Sequence, residues 1–166
     1  MIVALLLFFN LVVGLDVICL FGTKDTGKST LVNLLLNKTE PQRPYPWAYD
    51  VNDDNVWIDF PGLDDEEAEQ NLVLHRLCSL KIIVTDKDSF AKLLRYRWSG
   101  QDVLWIINKS DQLTHFEQTI VTMLCTHRQN LMMLSFKEAG EFAVGSVKAW
   151  VEMAKEKKNG TGGEAH

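Results

Sequence analysis

The chain has 166 residues, 46% of them hydrophobic and 23% charged, with a net charge of −5 and a pI near 5.3. That length suits one domain with one core, and the acidic balance argues against a general nucleic-acid binder, which needs a basic face to displace counterions. The three cysteines, Cys19, Cys78 and Cys125, lie far apart in apolar contexts without metal-ligand spacing, so buried, reduced thiols in an intracellular protein are expected.

Residues 1–14, MIVALLLFFNLVVG, are almost wholly apolar and hold no Lys or Arg. A signal peptide would have a positive n-region. A membrane span needs ~20 residues and would consume the strand that follows. An extra strand or helix packed on the domain is the favoured reading; a membrane or signal role and a truncated start are the alternatives. Leu15–Phe21 is a short apolar run ending at a glycine, as a buried parallel strand should be. Ser29–Asn37 is a predicted helix with Leu31, Leu34 and Leu35 on one face. Lys38–Pro46 holds three prolines and can be neither helix nor central strand. Trp47–Val51 and Val56–Phe60 flank the polar turn NDDN and read as a hairpin.

Asp64–Leu80 then reads as a helix with an acidic first turn, which suits the helix dipole. Lys81–Thr85 is a strand, and Ser89–Trp98 a short helix capped by Asp88 or Ser89. Asp102–Asn108 is a strand, Asp111–Arg128 a helix, Leu131–Phe136 a strand and Lys137–Lys157 a final helix. Residues 158–166 are polar and glycine-rich, a frayed tail with nothing to bury. Strands alternating with helices, apart from one hairpin, imply a three-layer α/β domain over residues 15–157. Its sheet is mostly parallel with one antiparallel edge strand. Ligands of such sheets bind beyond the carboxyl ends of the strands, so the residues directly after each strand carry the interest.

After the first strand comes FGTKDTGKST: Gly22, then Thr23, Lys24, Asp25 and Thr26, then Gly27, Lys28, Ser29 and Thr30. Backbone N–H groups of a tight loop at the start of a helix make an anion site. Lys28 would reach the β- and γ-phosphates of a nucleotide, and the Ser29 hydroxyl would bind Mg²⁺. DFPGL follows the hairpin: Asp59 ends a strand where a carboxylate can hold Mg²⁺ directly or through water. Gly62 has no side chain to keep its N–H away from a γ-phosphate. NKSD follows the next-to-last strand. The Asp111 carboxylate can accept from both the ring N–H and the exocyclic amine of guanine, a donor pair that adenine lacks. Asn108 would meet the base edge and tie this loop to the phosphate loop, and the Lys109 stem would lie over the base plane. Ser135, Phe136 and Lys137 end the last strand, where a backbone N–H could contact the guanine carbonyl oxygen.

These four segments, in this order, resemble the P-loop GTPases of the translation-factor and Ras-related class, most in the style of Era-like, septin, dynamin-like or interferon-inducible members. The resemblance runs from Leu15 to about Lys157. It implies a G domain that binds GTP or GDP with Mg²⁺. It also implies slow GTP hydrolysis assisted by a second copy or an activating protein, with Lys28 and Gly62 at the reacting phosphate. A cytoplasmic location is implied, with membrane contact through residues 1–14 as an option. Two departures stand out. The position at which a glutamine orients the attacking water in Ras-like members is Leu63. The first switch offers only Thr39 as the threonine that would close over Mg²⁺, with Arg43 nearby as a weaker candidate for a finger in cis. Both departures favour the alternative of a non-hydrolysing, GTP-held scaffold.

Overall fold

A computed structural model describes residues 15–39, 46–52, 55–63, 74–96, 98, 102–126 and 130–160. Residues 1–14, for which packing on the domain is expected, lie outside them, as do the switch-like residues 40–45. In chain order the elements are β1 (Asp16–Gly22), α1 (Lys28–Leu36), β2 (Trp47–Asn52), β3 (Asn55–Asp59), β4 (Leu80–Thr85), α2 (Lys87–Leu94), β5 (Val103–Ile107), α3 (His115–Thr126), β6 (Asn130–Met133) and α4 (Gly140–Gly160). The strands form one sheet in the order β2-β3-β1-β4-β5-β6. Among the described strands only the β2–β3 pair is antiparallel, as expected from the one hairpin among alternating strands and helices.

Alternate residues of the central strands feed two cores, one on each face. Ile18, Leu20, Trp57, Ile82 and Leu104 pack with Leu31, Leu35, Val147 and Trp150 of α1 and α4. Cys19, Phe21, Ile58, Ile83 and Trp105 pack with Phe90, Leu93 and Val121 of α2 and α3. A strand buried on both faces has no need of polar alternation, which is why the parallel strands read as continuous apolar runs.

Several boundaries differ from expectation, each for a local reason. Of the helix expected over Asp64–Leu80, residues 64–73 lie outside the described part, Leu74–Leu77 is a single 3-10 turn, and Leu80 already belongs to β4. Helix α2 begins earlier than Ser89 because Asp86 is its cap, accepting from the Ser89 N–H at 3.0 Å. Helix α3 begins at His115 rather than Asp111. Thr114 and Glu117 form a reciprocal capping box there, with Glu117 accepting from the Thr114 N–H at 2.8 Å and the Thr114 hydroxyl accepting from the Glu117 N–H at 3.2 Å. Strand β6 stops at Met133, and the chain beyond it turns so that Leu134 bonds Ile107 and Ser110. Helix α4 runs through Gly160 into the supposed tail, with Lys158 reaching Asp16 at 3.1 Å.

The cysteines are the clearest correction. Cys19 and Cys78 form a disulfide, with Cα atoms 5.8 Å apart and a separation of 59 positions in sequence. Neighbouring strands explain the meeting. β1 and β4 pair with Ile18 opposite Leu80, and the Ser79 N–H bonds the Val17 carbonyl at 2.8 Å, which carries Cys78 against the inner face of β1. Distance along the chain hid a contact that the crossover creates.

Candidate functional site

The parallel strands end on one edge of the sheet, and the predicted segments follow them there. After β1, Gly22 lies so close to β4 that a Cβ would stand 2.3 Å from the Val84 carbonyl oxygen. Thr26 folds back beneath the loop, its hydroxyl 2.9 Å from the Thr23 carbonyl and 3.1 Å from that of Val84. Gly27 turns the chain at φ 94°, where L side chains are strained, and a Cβ on it would come within 2.3 Å of Asn108 Nδ2. Helix α1 starts at the next residue, so its unpaired first N–H groups face the same space.

That space is a cavity of about 240 Å³ lined by Thr23, Lys24, Asp25, Gly27, Lys28, Ser29, Thr30, Asp59, Pro61 and Gly62. The phosphate-loop residues, the strand-end carboxylate and Gly62 are therefore brought together as the sequence suggests. Lys28 and Asp59 form an ion pair across it at 2.5 Å, both largely buried. Burial pushes the Asp59 carboxyl above its ordinary range, and the charge and hydrogen bond of Lys28 offset this only in part. A hydroxyl at Ser29 and a carboxylate at Asp59 lining the same cavity are hard oxygen donors that fit Mg²⁺ beside a phosphate. The described residues hold no group of three or more His, Cys, Asp or Glu able to bind a metal by themselves.

Two expected participants are elsewhere. Leu63 turns into the core, 4% exposed, while its N–H bonds the Gly22 carbonyl at 2.9 Å. The position at which Ras-like proteins carry a water-orienting glutamine thus holds a core side chain, and its backbone N–H fastens this segment to the loop. Thr39 follows the C-terminal end of α1 and lines a different surface cavity with Asn33, Leu34, Glu141 and Lys148. A nine-residue helix rises about 13 Å, so Thr39 lies a helix length from Ser29.

The other half of the edge is knitted by side chains. Asn108 donates from Nδ2 to the Thr26 carbonyl at 3.0 Å and accepts at Oδ1 from the Phe136 N–H at 3.0 Å. One buried amide thereby joins the loops after β1, β5 and β6. The tie to the phosphate loop is as predicted, and the bond from the Phe136 N–H to Oδ1 adds a second tie, to the loop after β6. Lys109, in the left-handed region at φ 58°, donates to the Asp25 carbonyl at 3.2 Å and to Asp86 Oδ2 at 3.1 Å. Asp111 is exposed in the 3-10 turn Ser110–Gln112, while Ser135 and Phe136 are buried and Lys137 is exposed.

Asp86 is the residue that the sequence reading missed. Burial alone would raise its carboxyl, but the hydrogen bonds from Lys109 and Ser89, with the Lys109 charge, hold it below the ordinary carboxylate range. The signal was available: Asp86 directly follows a predicted strand and stands three before Ser89, which is cap spacing.

No family model matches the chain, and no curated protein matches it in sequence. Solved structures do match. Bacterial selenocysteine-specific elongation factor EF-Sec superposes with a TM-score of 0.64 at 16% identity, over 86% of this chain and 29% of that one. A probable GTP-binding protein, engB, gives 0.63 at 16% identity, over 86% of this chain and 100% of its own. An Era variant from Aquifex aeolicus, bound to GDP and AlF4⁻, gives 0.60 at 14% identity, over 85% and 56%. The fold is that of the P-loop GTPase G domain. In this G-domain frame the described residues place loop, strand-end carboxylate and Asn108 clamp on one edge, and leave Thr39 and the Leu63 side chain off it. No described helix is long and apolar enough to cross a membrane.

Proposed function

We propose that the chain is a guanine-nucleotide-binding domain that hydrolyses GTP slowly with Mg²⁺, running from Leu15 through the end of α4. The observation that carries this reading is the Asn108 clamp. It ties the phosphate loop at Thr26 to the loop of Ser135, Phe136 and Lys137, and leaves Asp111 exposed beside them. Asp111 would take the two N–H donors of guanine, and the Lys109 stem would cover the base. Gly22 to Thr30 would wrap the phosphates with backbone N–H groups. Lys28, given a phosphate partner, would release Asp59, which with Ser29 would hold Mg²⁺. The ion, when bound, would supply charge for the phosphate oxygens. Lys28 and the Gly62 N–H would then stabilise the charge that develops on the γ-phosphoryl oxygens as water attacks in line.

Turnover by the isolated chain should be low, since Leu63 packs in the core and Thr39 stands a helix length away. A second copy or an activating protein would complete the site. The same two observations favour the second reading, a GTP-held interaction module that does not hydrolyse. Fluorescent GTP and ATP binding with Mg²⁺, followed by single-turnover phosphate release, separates them. Selective GTP binding with release supports the enzyme, selective binding without release supports the module, and no binding defeats both. Asp111→Asn should move base preference from guanine toward xanthine, and unchanged guanine preference would refute the assigned base pocket.

A further inference from the structure

Helix α3 has two apolar sides. Val121 faces inward to the core, joined by Leu113 just before the helix. Away from the core stand Phe116, Ile120, Met123 and Leu124, exposed by 72%, 40%, 68% and 51%. Their spacing, i, i+4, i+7 and i+8, draws one stripe along the helix. Neighbouring large apolar side chains in water mark an interaction surface, whereas single ones need no explanation. Phe142 and Met153 on α4 are of the second kind, about three turns apart.

The chain also contains an apolar segment with no charged side chain, residues 1–14, which enters β1 through Leu15. Strands β1, β4, β5 and β6 are parallel, so β1 starts on the sheet edge at which α3 ends and β6 begins. Three strand spacings, about 14 Å, separate β1 from β6. The stripe from Leu124 to Phe116 adds about 12 Å. Fourteen residues can extend to roughly 46 Å, which covers that path with length to spare. An attached segment meets the stripe at an effective concentration that a separate partner would have to match. Helix α3 carries no Lys or Arg to draw it to anionic lipid.

We propose that residues 1–14 dock on the outer stripe of α3, with Phe116, Ile120 and Met123 as the principal contacts. The inference stands apart from the nucleotide site and does not depend on what that site binds.

Hydrogen exchange of the full chain tests it, comparing the wild type with Phe116→Asp/Ile120→Asp/Met123→Asp and with Thr122→Asp, exposed on the same helix but off the stripe, as a control. Amides of residues 1–14 should be protected in the wild type and in the control, and should exchange about tenfold or more faster in the triple variant. Unchanged core protection at β1, β4 and β5 would show that the triple variant remains folded. Equal exchange of residues 1–14 in wild type and triple variant overturns the proposal. So does a wild-type dimer, seen by light scattering, that the triple variant abolishes, since the stripe then belongs to a second copy. Binding to phosphatidylcholine–phosphatidylglycerol vesicles, lost in the same variant, would assign it to lipid and equally overturn the proposal.

Discussion

The two halves of the sheet edge are held in different ways. On the side of β5 and β6, side chains bridge loops: Asn108 joins Thr26 to Phe136, and Lys109 joins Asp25 to Asp86. On the side of β1 and β3, backbone contacts hold the segment after β3 to β1, through Phe60 to Leu20 and Leu63 to Gly22, and the charged groups Lys28 and Asp59 hold each other. The first half is assembled before any ligand arrives, which lowers the ordering cost of binding. The second must exchange one partner for another when an anion enters. Recognition of a base would therefore draw on a rigid frame, and recognition of a phosphate on a rearrangement of one ion pair.

Lys28→Ala attacks the second half and should have the largest effect. It removes the cation that a phosphate would meet and leaves Asp59 largely buried without its partner. Losing the charged partner of a buried phosphate contact costs binding about 2–5 kcal/mol, so GTP affinity by fluorescence titration should fall roughly 30-fold or more. An affinity within threefold of wild type would show that the loop amides alone carry the phosphate, and the contrast between the halves would lose its basis.

Asn108→Ala attacks the first half. It strands the Phe136 N–H and the Thr26 carbonyl, groups whose unsatisfied burial costs about 1–3 kcal/mol each. Thermal unfolding should report most of this without ligand, whereas Lys28→Ala should show in binding as well, because it also removes the cation that a phosphate would meet. Gly27→Ala sharpens the point, because its Cβ would meet Asn108 Nδ2 at 2.3 Å in a backbone at φ 94°. Combined with Asn108→Ala it should cost less than alone, with a coupling of about 0.5–3 kcal/mol. The remaining cost would be that of the backbone conformation and of Phe136 Cδ2, 3.2 Å away. Strict additivity would mean that the loop relaxes around the clash.

Much of this edge could be read from the residues. An apolar run, a glycine loop and a helix fix the place of Lys28 because strand, turn and helix are local events, and Asn108 follows its strand by the same logic. Contacts made by topology were not readable. Cys19 and Cys78 meet only because β4 returns beside β1. Leu63 occupies a familiar position in the motif, yet whether it faced the cavity or the core depended on the space beside Phe21 and Phe60. Thr39 is the hydroxyl that the sequence offers between α1 and the hairpin, and the direction of α1 carries it away from the loop. The cap expected at Asp88 or Ser89 is instead Asp86, because α2 starts almost directly after β4 and its first turn is closed from the strand end.

Asp86 also supplies the smallest and most specific test of the rigid half. Its carboxyl is held below the ordinary range by Lys109 and Ser89 against the opposing effect of burial. A lowered folded value means that the unfolded chain takes up the proton first on acidification. The stabilisation is therefore whole above about pH 4, the ordinary aspartate range, and disappears as pH falls through the lower folded value. Asp86→Asn keeps a good helix cap but loses the charge that faces Lys109. With the Lys109 side chain 40% exposed, solvent screening limits the pair to about 1 kcal/mol or less. Urea midpoints should put wild type above the variant at pH 7, with the two converging as pH drops below about 4. A gap that stays constant down to pH 3 would mean that Lys109 is held by the Asp25 carbonyl alone. The bridge from the base loop to α2 would then contribute geometry without charge.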